Sequence, residues 1–365
     1  MVTWAKDEIE LQGGAKALAQ MPVIVSASRS TDIPAFYSGW FMERLKAGYV
    51  KWFNPFNGQP LYVGFRKMRC IVFWSKNPKP MLAHLDELDK ICPNYYFQFT
   101  LNDYDAERIE PNVPPVAERV ETFRRLSDRL GRDRVVWRFD PLILSDKLAV
   151  KDILEKVERL GDKIAANTSR LVFSFIDIKA YSKVGKNLER GGIAAREFSP
   201  DEMCEVAQRI GELVKDWGIA AGTCGEIKDL DRYGIEHNRC IDDRLMVKCF
   251  AHDRELMDFI GYDPQGELFD LCTDAERESD EQRRHARLKD KGQRLACGCI
   301  MSKDIGEYNT CPHLSTTATP TPTTPRRWRT GGGTVNARML RQSRVDEIRE
   351  LLASVARAFG IISLS

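Results

Sequence analysis

The chain has 365 residues, of which 43% are hydrophobic, so it can bury the core of one domain of about 250–300 residues or of two smaller ones. A formal net charge of +2 gives no general field that would attract nucleic acid or an anionic membrane, and no run of about 18 apolar residues predicts a membrane-spanning helix. The N-terminus is unlike a secretion signal, so the ten cysteines predict a cytoplasmic, reducing setting in which thiols stay free or bind metal.

Short apolar runs alternate with longer amphipathic segments over the first 230 residues. An alternating segment followed by Gly13-Gly14 predicts a hairpin in residues 1–20. Strands are predicted at 23–28, 49–54, 70–75, 95–101, 135–139, 171–176 and 219–223, and helices at 35–47, 79–90, 116–130, 149–161 and 200–217. The alternation is typical of βα units, and it predicts an α/β fold with a complete or partial TIM-like (β/α) barrel.

The predicted structure and the amino-acid composition both change in the C-terminal part of the chain. Residues 244–296 are predicted to be mainly helical. Cys297, Cys299 and Cys311 then fall within fifteen residues, His313 follows, and a Thr/Pro-rich run begins directly afterwards. We therefore predict an N-terminal hairpin extension (1–20), a barrel domain (21–314) with a cysteine cluster (297–313), and an irregular tail (315–365).

Polar side chains stand at the predicted carboxyl ends of the strands, where parallel barrels carry their functional groups. They are Ser28, Arg29, Asp32, Lys76, Asn77, Gln98, Thr100, Asn102, Arg138, Asp140, Ser174, Asp177, Cys224 and Glu226. Arg138 and Asp140 lie in an apolar strand and are costly there unless they are paired, so one interpretation is an internal ion pair that braces the barrel. Polar groups at six strand ends favour the other interpretation, a binding cavity.

Four cysteines form a second candidate group. Cys224, Cys240, Cys297 and Cys299 could make a closed four-thiolate site for an auxiliary [4Fe–4S] cluster or a structural zinc ion. The alternative is that Cys224 is a small core residue and the other three are loop thiols.

The sequence after Leu314 suggests a lost base in the gene. Residues 315–325 read STTATPTPTTP. The third base of each of these codons is not fixed by the amino acid, so the same bases can also encode a different peptide in the reading frame shifted by one base. Restoring one base converts the segment that starts at Cys311 into CPHLCYYCYANTNDA, which contains C-x3-C-x2-C. Because third bases are free, this frameshift is a hypothesis.

The restored loop, C-x3-C-x-aromatic-C, resembles the cluster loop of radical S-adenosylmethionine enzymes. There three thiolates hold three irons of a [4Fe–4S] cluster, and the fourth iron stays open for the cofactor. Residues 22–314 also resemble the bacterial family DUF1848, whose C-terminal cysteine cluster is similar to that loop. The resemblance is carried by SASRSTDIPAFY (26–37), NPFN (54–57), IVFWSKNP (71–78), YYFQFTLN (95–102), EPNVPP (110–115), VVWRFDP (135–141), CGE (224–226), YGIEHNRCID (233–242) and CGCIMSKDIGEYNTCPH (297–313).

The resemblance implies a radical enzyme of unknown substrate, with a [4Fe–4S] cluster and S-adenosylmethionine as cofactors and flavodoxin or ferredoxin as electron donor. The catalytic candidates are Arg138, Asp140 and Glu226, and the cofactor-binding candidates are Ser28, Arg29, Asp32, Gln98, Asn102 and Asp177.

The chain departs from this pattern at the cluster itself. Of the three cluster cysteines only Cys311 is present, with Ser315 and Ala318 at the other two positions. One thiolate does not hold a cubane cluster, so the implied activity is expected to be impaired. The alternatives are a non-catalytic barrel, as an inactive copy or a binding protein, and a metal-independent barrel enzyme that uses Arg138, Asp140, Asp177 and Glu226 on a small polar substrate.

Overall fold

The computed structural model describes residues 4–55, 57–263 and 274–317. Ala318 and the rest of the predicted tail lie outside the described residues. The strands in chain order are β1 (Ala5–Glu10), β2 (Lys16–Met21), β3 (Ile24–Ala27), β4 (Tyr49–Phe53), β5 (Pro60–Gly64), β6 (Cys70–Ser75), β7 (Tyr95–Thr100), β8 (Val135–Leu142), β9 (Leu144–Ser145), β10 (Arg170–Phe175), β11 (Ala195–Arg196), β12 (Ala220–Thr223), β13 (Ile235–His237) and β14 (Lys303–Asp304).

The helices alternate with the strands for most of the chain. They are α1 (Ile33–Phe36), α2 (Ser38–Ala47), α3 (Leu85–Ile91), α4 (Val116–Leu130), α5 (Val150–Ile164), α6 (Ser182–Arg190), α7 (Pro200–Trp217), α8 (Asp243–Phe250), α9 (Arg254–Ile260) and α10 (Asp274–Leu288). In the described part of the chain, no helix has both the length and the apolar character needed to cross a membrane.

An eight-stranded sheet forms the centre of the molecule. Its order is β13-β12-β10-β8-β7-β6-β3-β14, and every ladder in it is parallel. Seven of these strands follow one another in chain order, and the last strand, β14, returns to pair with the first, β3. The predicted α/β class with a large parallel sheet is therefore confirmed, while closure of the sheet into a barrel stays a prediction.

The two faces of this sheet bury different layers because successive side chains of a strand point to opposite sides. In β7, Phe97 and Phe99 belong to a large apolar core that includes residues of α4, α5 and α7. Tyr96 faces the other way, into a smaller core with Met246 of α8 and Leu256 of α9. The helices α8 and α9 thus cover the face of the sheet that carries Gln98 and Arg138.

A second sheet of four strands, ordered β1-β2-β5-β4, lies at the N-terminal end of the chain. The strands β1 and β2 are antiparallel, and Gly13 and Gly14 between them have φ angles of 100° and 83°, which glycine adopts without strain. The strand β2 also pairs in parallel with β5, a strand that the sequence pattern did not predict. The hairpin is therefore part of a four-stranded sheet.

The predicted helix over 35–47 is two helices. Asp32 caps α1 by accepting a hydrogen bond from the backbone nitrogen of Ala35 at 2.9 Å, and the break falls at Tyr37. The hydroxyl of Tyr37 donates to the carbonyl of Thr310 at 2.6 Å. This contact with a distant loop is invisible to a local pattern.

The expected helical region over 244–296 is also interrupted. The helices α8 and α9 are separated by a turn at residues 251–253, and residues 289–302 after α10 are irregular. Asp253 caps α9 by accepting from the backbone nitrogen of Leu256 at 3.0 Å, and its carboxylate also pairs with Arg69. The tertiary ion pair fixes the break between the two helices.

Two glycines in helices give a test of this packing. A Cβ at Gly211 in α7 would lie 2.3 Å from the carbonyl oxygen of Tyr233, whereas a Cβ at Gly39 in α2 would meet no atom within 4 Å. We expect Gly211→Ala to destabilise the protein by roughly 1–3 kcal/mol through overpacking. Gly39→Ala should be neutral or stabilising by up to about 1 kcal/mol. Thermal unfolding of both variants is the measurement, and equal shifts would contradict the packing of α7.

Candidate functional site

Arg138 organises the polar network on the covered face of the sheet. It is almost fully buried, forms an ion pair with Asp140, and donates from Nη1 to Oε1 of Gln98 at 3.1 Å and to Sγ of Cys240 at 2.9 Å. Asp140 also accepts a hydrogen bond from the hydroxyl of Ser174. The strands β7, β8 and β10 are thus joined by one set of buried polar contacts.

The electrostatics keep this ion pair charged. Burial alone would raise the pKa of Asp140, but Arg138 and the Ser174 hydroxyl outweigh it and hold the pKa below its usual value. Burial likewise opposes the charge on Arg138, but Cys240 and Asp140 raise its pKa well above the usual value. A carboxylate with a lowered pKa is a weak base, so this arrangement suits bracing and ligand orientation better than proton transfer.

A second ion pair extends the network to the neighbouring strand. Lys76, which follows β6, pairs with the buried carboxylate of Glu110. Asn102 donates from Nδ2 to Glu110 at 3.3 Å and to the carbonyl of Asp140 at 3.2 Å, and its Oδ1 accepts from the backbone nitrogen of Asp140 at 2.9 Å. Glu110 was not among the sequence candidates because its loop gave no sign of a partner at Lys76.

Asp32 holds the loop that carries Cys311 at the same end of the sheet. Its carboxylate accepts from the hydroxyl of Ser75 and the backbone nitrogen of Lys76, both at 2.7 Å, and lies 2.8 Å from Nε2 of His313. The thiol of Cys311 interacts with the backbone of His313 and of Asp32, and burial raises its pKa. The loop that carries Cys311 is therefore held at the carboxyl ends of β3 and β6.

Asp304 binds the carboxyl end of β3, the first strand of the large sheet. Its carboxylate accepts from the hydroxyls of Ser26 and Ser28 at 3.0 and 2.8 Å and from the backbone nitrogen of Arg29 at 2.7 Å. A Cβ at the nearby Gly306 would lie 1.9 Å from Oγ of Ser28, so this close approach requires glycine. The sequence missed Asp304 because β14, with two residues, is too short to show a strand pattern.

Two guanidinium groups lie near the ring of Trp74. The central carbons of Arg29 and Arg138 are 5.3 and 5.2 Å from its centroid, within the range of cation–π contacts. Among the described residues, Nη2 of Arg29 is buried without a hydrogen-bond partner. Burial lowers the pKa of Arg29, but Cys299 and Asp304 raise it overall.

The four cysteines proposed from the sequence come together. Sγ of Cys224 lies 3.5 Å from Sγ of Cys240, and the thiol of Cys299 lies next to those of Cys240 and Cys297. The hydrogen bond to Cys240, with burial, raises the pKa of Cys224, whereas the hydrogen bond to Cys299 lowers the pKa of Cys297. The nine cysteines in the described ranges are all free thiols. In those ranges no group of three or more His, Cys, Asp or Glu side chains is arranged so that it could hold a metal ion.

Comparison with known proteins identifies the family. The family model DUF1848, a domain of unknown function, matches residues 24–316. The chain belongs to the DUF1848 family.

Other comparisons add little. No curated protein matches the chain. Among solved structures, a putative alpha-L-fucosidase from Bacteroides thetaiotaomicron VPI-5482 is 14% identical over 54% of this chain and 58% of its own length, with a TM-score of 0.27. The chain thus spans less than two thirds of that protein, and a likeness this low supports no argument.

Two of the sequence candidates in this DUF1848 chain have only local partners among the described residues. Glu226 accepts from the backbone nitrogens of Ile227 and Lys228 at 2.8 and 3.3 Å, and Asp177 accepts from that of Ala180 at 3.0 Å. No hydrogen bond in the described residues joins either carboxylate to the network around Arg138. Ser315, at the second cluster position, shares a hydrogen bond of 3.0 Å with the hydroxyl of Thr317.

Lys303 is a partly buried amine of the DUF1848 chain that the sequence did not reveal. Burial lowers its pKa to about 8. Its Nζ lies 3.3 Å from the centroid of the Trp52 ring, and Nε1 of that ring donates to the carbonyl of Gly306 at 3.0 Å. The contact between this amine and the Trp52 ring joins residues far apart in the sequence, so only the folded chain shows it.

The network predicts a difference between two conservative substitutions. Asp140→Asn leaves the buried Arg138 without its carboxylate, which should destabilise the protein by roughly 3–5 kcal/mol. Glu226→Gln removes a charge from a loop with only local contacts and should change stability by less than about 0.5 kcal/mol. Chemical unfolding of the two variants beside the parent is the measurement. Similar small effects would show that Asp140 does not neutralise Arg138.

Proposed function

We propose that this chain binds a small polar molecule at the carboxyl edge of its parallel sheet and does not perform the radical chemistry that the cluster-loop resemblance implies. The proposal depends on a set of buried polar atoms without partners beside the network described above. In the described residues these atoms are Oγ1 of Thr31, Oδ1 of Asn77 and Oε2 of Glu110. Buried polar atoms in folded proteins are almost always hydrogen-bonded, so these three oxygen atoms are suited to hydrogen bonds with a ligand.

The three residues belong to one neighbourhood. Thr31 directly precedes Asp32, Asn77 directly follows Lys76, and Glu110 pairs with Lys76. Thr31 follows β3, Asn77 follows β6, and Glu110 contacts a residue that follows β6. Ligands of parallel α/β folds bind at this end of the strands. The neighbouring charged groups of both signs suit a molecule with several polar groups, such as the amino-acid and ribose parts of S-adenosylmethionine.

A partial barrel would enclose this edge. The backbone nitrogen of Ile300 donates to the carbonyl of Ile241 at 3.1 Å, and Ile241 donates to Sγ of Cys299 at 3.4 Å. These contacts join the segment after β13 to the segment before β14, although the two strands are the edges of the sheet. The contacts support the inference that the sheet curves round until its two edges face each other.

The residues of the C-terminal loop do not fit a [4Fe–4S] cluster. Such a cluster with an open iron needs three thiolates, and the loop offers Cys311 alone, with a hydroxyl at Ser315 and a methyl group at Ala318. No reaction step is therefore assigned to a cluster in this chain.

Binding can be tested with a pair of threonine variants and S-adenosylmethionine as the probe. Thr31→Val removes a hydroxyl that lacks a protein partner in the described structure, so affinity should fall by about tenfold with little change in stability. Thr122→Val removes a hydroxyl bonded to the Glu118 carbonyl at 2.9 Å, so stability should fall with affinity unchanged. Titration calorimetry and thermal unfolding give the two readouts. Equal affinity in Thr31→Val and the parent would overturn this site.

Iron loading tests the absence of radical chemistry. After anaerobic incubation with iron and sulfide, Cys311→Ser should leave the iron content of the parent unchanged. A Ser315→Cys/Ala318→Cys variant should gain about four irons per chain, and Cys311→Ser in that background should remove them. Iron analysis and visible absorbance are the measurements. The proposal would be contradicted if the parent bound iron that is lost in Cys311→Ser and also cleaved S-adenosylmethionine under strong reductant.

A further inference from the structure

We infer that Cys224, Cys240, Cys297 and Cys299 bind one tetrahedral metal ion, Zn²⁺, which joins the two edges of the parallel sheet. This site is separate from the proposed small-molecule site and does not depend on it. The inference stands on where the four thiols lie, on the distances between them, and on the groups that are directed at their sulfur atoms.

The four thiols lie between the two edges of the sheet. Cys224 directly follows β12, Cys240 comes three residues after β13, and Cys297 and Cys299 precede β14. The strands β13 and β14 are the opposite edges. Gly298, between the last two cysteines, is so close to Asn238 that a Cβ there would lie 3.1 Å from its carbonyl oxygen. An ion bound by all four thiolates would therefore connect segments far apart in the sequence.

The described thiols form no group that could hold an ion as they stand, and the spacing of Cys224 and Cys240 is the spacing that a single ion requires. Zinc–thiolate bonds are about 2.3 Å long, so the edges of a regular ZnS₄ tetrahedron are about 3.8 Å. The sulfur atoms of Cys224 and Cys240 are 3.5 Å apart, and the side chain of Cys299 lies beside those of Cys240 and Cys297. Thiolates on a cubane bind different irons and have to stand farther apart. Small movements toward a common centre would complete a zinc site, whereas a cubane would require the thiols to separate.

Donors and positive charges are directed at these sulfurs. Cys240 accepts from Nη1 of Arg138 at 2.9 Å and from Nδ2 of Asn238 at 3.3 Å, and Cys299 accepts from the backbone nitrogen of Ile241 at 3.4 Å. Metal-bound thiolates are regularly hydrogen-bonded in this way by outer groups. A cluster of neutral core thiols would need neither these donors nor the buried guanidinium.

The charge of the proposed site would be balanced by Arg29 and Arg138. Zn²⁺ with four thiolates has a net charge of about −2, which is costly to bury without nearby positive charge. Arg138 already contacts Cys240, and the guanidinium of Arg29 lies in the field of Cys299, Cys240 and Cys297. Its Nη2 lacks a partner in the described residues, so it is available to a thiolate.

The test is a zinc measurement on the full chain, expressed and purified with reductant and without chelator. We expect about one zinc per chain by elemental analysis and no zinc in Cys240→Ser or Cys297→Ser. Cys297 is partly exposed, so its variant should fold even if the buried Cys240→Ser variant does not. Cys92→Ser is the matched control, because Cys92 is a buried free thiol that bonds to the carbonyl of Asn94 and should leave zinc unchanged.

Cobalt gives an independent readout of geometry. Co²⁺ in place of zinc should show the thiolate charge-transfer and tetrahedral absorption bands of a four-sulfur site in the parent and in Cys92→Ser, but not in Cys297→Ser. Absence of both zinc and cobalt binding in the parent would overturn the inference. So would a brown protein with about four irons that depend on these cysteines. Thr31→Val should retain its zinc, so failure of the small-molecule site and failure of the metal site give different results.

Discussion

The cost of a buried guanidinium governs the covered face of this sheet. Arg138 sits in the middle strand of an apolar layer, and an unpaired charge there would destabilise the fold by several kcal/mol. Asp140 supplies the counter-charge, while Gln98 and Cys240 accept hydrogen bonds from Nη1 of Arg138. To satisfy Arg138, the segment after β13 has to lie across β7 and β8, and the carbonyl of Cys240 indeed accepts from Tyr96 and Gln98. A single buried charge thus determines where a distant loop packs.

Two other buried carboxylates place the end of the described chain. Asp304 binds the backbone and hydroxyls that follow β3, and Asp32 binds His313. Together they hold the returning strand β14 and the Cys311 loop by hydrogen bonds from protein groups. The position of this loop is therefore tied to the residues that follow β3.

How much the sequence revealed depended on the range of the interaction. The helix over 200–217 was predicted to the residue, because Ser199 and Glu202 form a capping box at one end and Gly218 has a left-handed conformation at the other. The strands β13 and β14 were missed, since two or three residues cannot show a period. Asp304 and its partner Ser28 are 276 residues apart, so no local pattern could pair them. The four cysteines could be grouped because their chemistry, unlike their spacing, is distinctive.

The two groups of thiols stand in different relations to the fold. Cys311 lies in a loop at the carboxyl ends of the strands, where the polar ligand is proposed to bind, and its neighbours hold the loop by ordinary hydrogen bonds. The four cysteines lie where the two sheet edges approach, and the donors around them face the sulfur atoms themselves. The contact between His313 and Asp32 holds the Cys311 loop through groups other than the thiol. By contrast, replacing Cys240 would leave Asn238 and one nitrogen of Arg138 with one acceptor fewer, and replacing Cys299 would do the same for the backbone of Ile241. These cysteines therefore contribute to the packing between the two sheet edges.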